Sequence, residues 1–310
     1  MSSASEGRFL SSSVPLLTRV PRFATLLTDD GVPVEAVYEP CTAGFDARVG
    51  AGPEAVADIP VIVVAHGFTG SVDRPAVRRA ARVFSQRAAV ITFSFRGHGR
   101  SGGRSTVGDR EVLDLAAAVA WARTLGHSEV VTVGFSMGGS VVLRHGALYT
   151  EETEARDTSV RVPVRERRTG EHLGAHFGAH ADAVVAVSSP ARWYYRGTAP
   201  MRRLHWVVTR PSGRLVGRYG FRTRIATEDW DPVPLSPVAA VPLIAPAPLL
   251  LVHGDRDPYF PLDHPRMLAD AAGEGGAELW LERGMGHAEN AADDALLARI
   301  ADWASGALSA

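Results

Sequence analysis

Short runs that are apolar on both faces recur along most of this chain. Pro60-Val61-Ile62-Val63-Val64-Ala65 is the first, and Ala89–Phe95, Val130–Phe135, Ala183–Val187, Pro248–Val252 and Ala277–Leu281 follow. A strand with one wet face alternates apolar and polar residues, so continuous apolar runs are expected of buried parallel strands. Helical patterns separate them: Asp73–Arg87, Gly108–Leu125, Met137–Leu148, Asp263–Ala272 and Ala292–Leu308. In the clearest, Val112, Leu115, Ala116, Val119 and Ala120 form an apolar stripe at helical spacing. Two earlier strand-like runs, Phe23–Thr28 and Val32–Tyr38, flank Asp29-Asp30-Gly31, which has the chemistry of a hairpin turn. Strand and helix alternating in this way predict an α/β fold: a mostly parallel twisted sheet of about eight strands with helices on both faces.

Two segments break the alternation. Residues 150–181 are charged and polar, and read as a solvated insertion. Residues 191–247 hold Trp193, Tyr194, Tyr195, Trp206, Tyr219 and Trp230 among arginines and prolines, too aromatic for a linker. The expected organisation is one domain over 1–310. Its core covers about 23–190 and 248–310, and a small cap is inserted at about 191–247.

Composition narrows the function. The 310 residues carry a formal net charge of -1, without the basic excess of a general nucleic-acid binder. A single cysteine, Cys41, rules out an intrachain disulfide and a thiolate zinc site. No apolar run reaches the roughly 18 residues of a membrane span, and Met1–Leu10 lacks the pattern of a signal peptide. The expectation is a cytoplasmic enzyme. All 33 basic residues are arginine, a bias that Ala-, Gly-, Val- and Pro-rich composition shares, so single arginines carry little functional weight.

Gly134-Phe135-Ser136-Met137-Gly138 fits Gly-x-Ser-x-Gly, with a buried strand before it and a helical pattern directly after. A serine on so tight a turn has a strained backbone, and its neighbours pass too close for a Cβ. The helix starting there favours negative charge at its N-terminus. A serine hydroxyl needs a base, usually an imidazole oriented by a carboxylate. Val252-His253-Gly254-Asp255-Arg256-Asp257 and Gly284-Met285-Gly286-His287-Ala288-Glu289 each follow a late strand. Carboxyl ends of parallel strands open on one edge of a sheet, so Ser136, a late Asp and His287 can meet there.

These motifs, in this order, resemble an α/β-hydrolase of the serine esterase and lipase kind. His66-Gly67-Phe68-Thr69-Gly70-Ser71 resembles the family's oxyanion loop, and Phe95-Arg96-Gly97-His98-Gly99-Arg100-Ser101 its next glycine-rich loop. The resemblance spans about 23–149 and 182–308. It implies Ser136 as nucleophile, His287 as general base, Asp257 as orienting acid and the amides of Phe68 and Met137 as oxyanion hole. It implies no cofactor and no metal. The substrate class it implies is a small-molecule carboxylic ester, cleaved through an acyl-enzyme. Thioesterase, lysophospholipase or monoacylglycerol lipase, peptidase and acyltransferase activities use the same triad, and a non-catalytic binding protein is the distant alternative.

Other residues take plainer readings. Asp255 is the rival acid, expected as a turn residue. His66 and His98 are expected in structural turns, and His253 in the core. His172, His176 and His180 are spaced by four with Asp182 nearby, but Gly174 and Gly178 weaken the helix a metal face needs. Trp193, Tyr194 and Trp206 are candidates for the pocket wall. Nine arginines between Ala191 and Trp230 suit an anionic substrate.

Overall fold

The computed structural model describes residues 20–43, 59–151 and 178–308. Eight strands form one sheet: β1 Arg22–Leu27, β2 Pro33–Glu39, β3 Val61–Ala65, β4 Ala89–Phe93, β5 Val130–Phe135, β6 Ala183–Val187, β7 Leu249–Gly254 and β8 Glu278–Glu282. Their order is β1-β2-β4-β3-β5-β6-β7-β8. β1 and β2 form an antiparallel hairpin, β2 pairs antiparallel with β4, and β4 through β8 are parallel. The sheet is therefore the mostly parallel one that the apolar runs predict.

The same runs explain the layers. Side chains alternate along a strand, so neighbouring residues of β3 feed opposite faces. Val61, Val63 and Ala65 pack in one core with helices α2 (Glu111–Thr124) and α3 (Met137–Leu148). Ile62 and Val64 pack in the other with α1 (Pro75–Phe84) and the C-terminal helix, Asp294–Ala307. Both faces are covered, and all five residues of β3 are buried.

Helix α2 departs from the single stripe expected of it. Residues 111–119 are buried without a break, while Ala120 of the expected stripe is only half-buried. Leu113, Ala117 and Ala118 widen the apolar face, and two carboxylates are buried beside them. Asp114 accepts hydrogen bonds from the backbone and guanidinium of Arg96, at 2.8–2.9 Å. Glu111 accepts from Ser105 Oγ at 2.8 Å and from the amides of Thr106 and Gly108 at 2.8 and 2.9 Å. Buried carboxylates are tolerable only with such partners. Here Glu111 fixes the 105–108 loop beside the candidate site, and Asp114 fixes Arg96.

Between β6 and β7 the chain forms α4 (Ala199–Thr209), α5 (Pro211–Gly220), a short turn α6 (Pro237–Ala240) and a 3₁₀ turn at Val241–Leu243. Helix α7 (Asp263–Ala272) follows β7, and a four-residue turn, α8 (Ala288–Ala291), precedes the C-terminal helix, α9. Most of the 150–181 insertion lies outside the described residues. Among the described residues no helix is long and apolar enough to cross a membrane.

Candidate active site

The carboxyl ends of β3, β5, β7 and β8 bring four loops to one edge. At the end of β5 Ser136 has φ 53° and ψ -112°, and α3 begins at the next residue. A serine held there costs about 1–3 kcal/mol. The turn is possible because two neighbours lack side chains. A Cβ on Gly134 would run into the Gly138 backbone, and one on Gly138 into the Ala65 and His66 carbonyls. The strain lifts the hydroxyl off the helix and into the open.

Beside it stands His287, whose Nε2 is 2.8 Å from Ser136 Oγ and whose Nδ1 is 2.7 Å from Asp257 Oδ2. The Asp257 side chain is fully buried and that of His287 is 16% exposed, so of this pair only the imidazole is open to solvent. Burial alone would raise the Asp257 carboxyl. The hydrogen bond and charge of His287, with the N–H groups of Tyr259 and Phe260 on Oδ1 at 2.8 and 3.1 Å, outweigh it and hold the group below its usual value. An ionised Asp257 accepts only, so Nδ1 carries the proton and Nε2 presents its lone pair to the Ser136 hydroxyl. The Tyr259 ring lies 4.3 Å from the imidazole, centroid to centroid, and limits its rotation. Chemically, this is a hydroxyl next to a base whose tautomer is fixed from behind.

The supporting residues explain why the loops hold still. Asp255 Oδ1 accepts the Gly284 N–H at 2.6 Å, a turn contact. His253 is buried with Nε2 on the Phe260 carbonyl at 2.9 Å. Ser188 (φ 51°) accepts the N–H of Ala288 (φ 54°) at 3.1 Å, fixing the segment after His287. His66 and His98 are buried around the 66–71 loop. Phe95 N–H donates to His66 Nε2 at 3.0 Å, so Nδ1 carries the His66 proton and donates to the Gly67 carbonyl at 2.7 Å. Burial, with His98 adjacent, pushes His66 down to about 3, so it stays neutral at working pH. His98 Nε2 donates to the Phe68 carbonyl. Phe68 and Met137 both border the cavity beside Ser136, and the Met137 amide belongs to the unshared first turn of α3.

That cavity measures about 480 Å³ and runs from Ser136 under the cap. Trp193 and Tyr194 line it, with Tyr195, Trp230, Val107 and Phe260. Trp206, expected among them, does not. Helix α4 turns Met201, Leu204, His205 and Val208 to the cavity, the i, i+3, i+4, i+7 face, and Trp206 points away, 46% exposed. That spacing is visible in the sequence. Three arginines reach the cavity, Arg192, Arg196 and Arg214, and so do Glu228 and Asp229. Arg192 is further paired with Asp263 at 2.8 Å. The charge there is mixed.

The histidine series at 172–180 lies outside the described residues except for His180. His180, Asp182 and Glu151 stand close together, but the Arg123 guanidinium is already among them, 2.8 Å from Asp182 and 3.2 Å from His180.

Residues 60–156 match the family model described as the alpha/beta hydrolase fold. A monoacylglycerol lipase of Mycolicibacterium smegmatis is 28% identical over 272 residues, covering 82% of this chain and 86% of the relative. Among solved structures, an esterase of Pyrococcus furiosus superposes with a TM-score of 0.62 at 18% identity, over 99% of this chain and 96% of that one. A putative aryl esterase of Burkholderia cenocepacia superposes with a TM-score of 0.57 at 20% identity, over 93% and 100%. Sheet order, elbow and the family match over residues 60–156 agree on the α/β-hydrolase fold. Within it, the chain is similar to lipases and esterases.

Proposed function

We propose that this protein is a cofactor-independent serine hydrolase of carboxylic esters, with Ser136 as nucleophile, His287 as general base and Asp257 as the orienting acid. One observation carries the reading: the unbroken hydrogen-bond chain from Ser136 through His287 to a buried Asp257, opening into a largely apolar cavity. An acyl or aryl group fits a cavity of this size and lining.

The geometry supports the following mechanism. Ser136 Oγ attacks the ester carbonyl as its proton passes to His287 Nε2. Asp257 stabilises the imidazolium that forms, through Nδ1. The carbonyl oxygen becomes an oxyanion, received by the N–H groups of Phe68 and Met137, with the N-terminus of α3 adding favourable field. Collapse expels the alcohol, which takes the proton from His287 and leaves an acyl-Ser136 ester. Water enters, loses its proton to Nε2 and attacks the acyl carbon. The second collapse releases the acid and restores the serine. The likeness to a monoacylglycerol lipase supports acylglycerols as a second substrate class for the same machinery. A cytoplasmic site of action belongs to this reading, and the free, buried thiol of Cys41 suits it.

The test is hydrolysis of p-nitrophenyl esters, from acetate to long acyl chains, by wild type and Ser136→Ala. Activity with a chain-length optimum, lost in the variant, is the expected result. A folded wild type inert to every ester and thioester in the panel would contradict the reading.

A further inference from the structure

Glu289 has no part in the reaction as described, yet it lies at its centre. It follows His287 by two residues and is 5% exposed. Its carboxylate accepts the Gly67 N–H at 3.2 Å and meets its own backbone N–H. The nearby guanidinium of Arg79 donates to the Glu289 carbonyl at 2.7 Å and leaves the carboxylate to these amides. A buried carboxyl group satisfied by amides alone is expensive compared with an apolar side chain of the same bulk. The distances indicate what it is kept for. A methyl group on Gly67 would stand 3.2 and 3.3 Å from the two carboxylate oxygens and 3.5 Å from Ser136 Cβ.

Gly67 precedes Phe68, whose amide is the oxyanion donor of the mechanism above. The Gly67 carbonyl is fixed by the Gly70 N–H at 2.8 Å and by His66 Nδ1 at 2.7 Å. In a trans peptide the next N–H points opposite to that carbonyl. Glycine would let the unit swing about its own Cα. The Glu289 bond removes that freedom at the Gly67 nitrogen.

Resting on the ester-hydrolase reading, we infer that Glu289 is a positioning residue: its carboxyl oxygen pins Gly67 so that the Phe68 N–H stays aimed at the developing oxyanion. Because it sits on the His287 loop, it also ties the base and the oxyanion loop into one rigid unit, across 222 residues of sequence.

The test compares wild type with Glu289→Ala, Glu289→Leu and Glu289→Gln on p-nitrophenyl butyrate. Active sites are counted by phosphonate titration, so that unfolded molecules drop out, and Leu keeps the bulk should the Ala variant not fold. The expected result is a fall in kcat of about 10- to 100-fold for Ala and Leu, with KM within about threefold, since one oxyanion donor is misaimed rather than lost. Binding of a trifluoromethyl ketone, which forms an oxyanion on Ser136, weakens by a similar factor. Gln, which retains a side-chain oxygen for Gly67, restores kcat to within about threefold of wild type. Wild-type kcat and ketone affinity in the Ala and Leu variants would overturn the inference. So would a Gln variant as impaired as Leu, or a defect in KM alone. An inert wild type would instead overturn the hydrolase reading and this inference with it.

Discussion

The loops at the strand ends and the cap above them are built on opposite terms. Below, Asp257 is held by the amides of Tyr259 and Phe260 as well as by His287, and Gly67 by Glu289, His66 and Gly70. Above, α4 and α5 together bury only Met201, Val207, Gly213 and Gly217, and Trp206, Leu215, Val216 and Tyr219 remain exposed. The segment after α5 ties the cap to the core, through the Arg224 N–H on the Gly97 carbonyl at 2.8 Å, the Ser105–Ile225 bridge and the Trp230 indole on the Thr106 carbonyl at 2.7 Å. The difference separates two tasks. Bond cleavage needs atoms fixed to within a fraction of an ångström, which buried and doubly anchored loops provide. Choosing a substrate needs a wall, which a thinly packed element supplies and can vary without disturbing the floor.

If that division holds, the floor should be intolerant in rate and the cap only in selectivity. Ser136→Ala should lower kcat by about 10⁴-fold or more, and Asp257→Asn by about 10³- to 10⁴-fold through loss of the productive His287 tautomer. Steady-state assays with thermal unfolding midpoints near wild type would check both.

Acid sensitivity should also originate below the cap. Burial pushes His66 and His145 to about 3 in the folded chain, against about 6.5 when unfolded. As pH falls below 6.5 the unfolded chain takes up protons that the folded chain refuses, so stability drops through the window from 6.5 to 3. A fall in the unfolding midpoint of roughly 5 °C or more between pH 7 and pH 5 is expected, readable by calorimetry. A midpoint that is flat or rises over that interval would contradict these assignments.

In the cap the effects should be smaller and substrate-dependent. Trp193→Ala removes cavity wall and should cut kcat/KM for long-chain esters by about 5- to 10-fold while leaving acetate within about twofold. Trp206→Ala, pointing away, should change neither by more than about twofold. A larger effect at Trp206 than at Trp193 would reverse the orientation assigned to α4.

The same contrast governs what the sequence reveals. Each strand appears within two or three residues of where its apolar run predicts it, because a strand covered on both faces leaves little choice of residue; β8, expected to be buried as well, is an edge strand with no buried residue. Met137–Leu148 and Asp263–Ala272 are helices over the expected spans. The Gly-x-Ser-x-Gly elbow is legible because its steric demands are local. The cap is not, since short helices rich in Gly, Pro and Arg have weak propensities and take their orientation from packing on the core. Helix α2 hides its buried carboxylates for a related reason, as the partners of Asp114 and Glu111 lie in loops with no pattern of their own. The Glu289–Gly67 contact joins residues 222 positions apart and has no local signature.

We propose Ser136, activated by His287 and Asp257, as the nucleophile. The most direct test is mass spectrometry of the protein after treatment with a fluorophosphonate. One adduct is expected, on the peptide carrying Ser136, absent in Ser136→Ala and suppressed by a competing ester. A folded protein that takes no adduct, or takes it on a different residue, would contradict it.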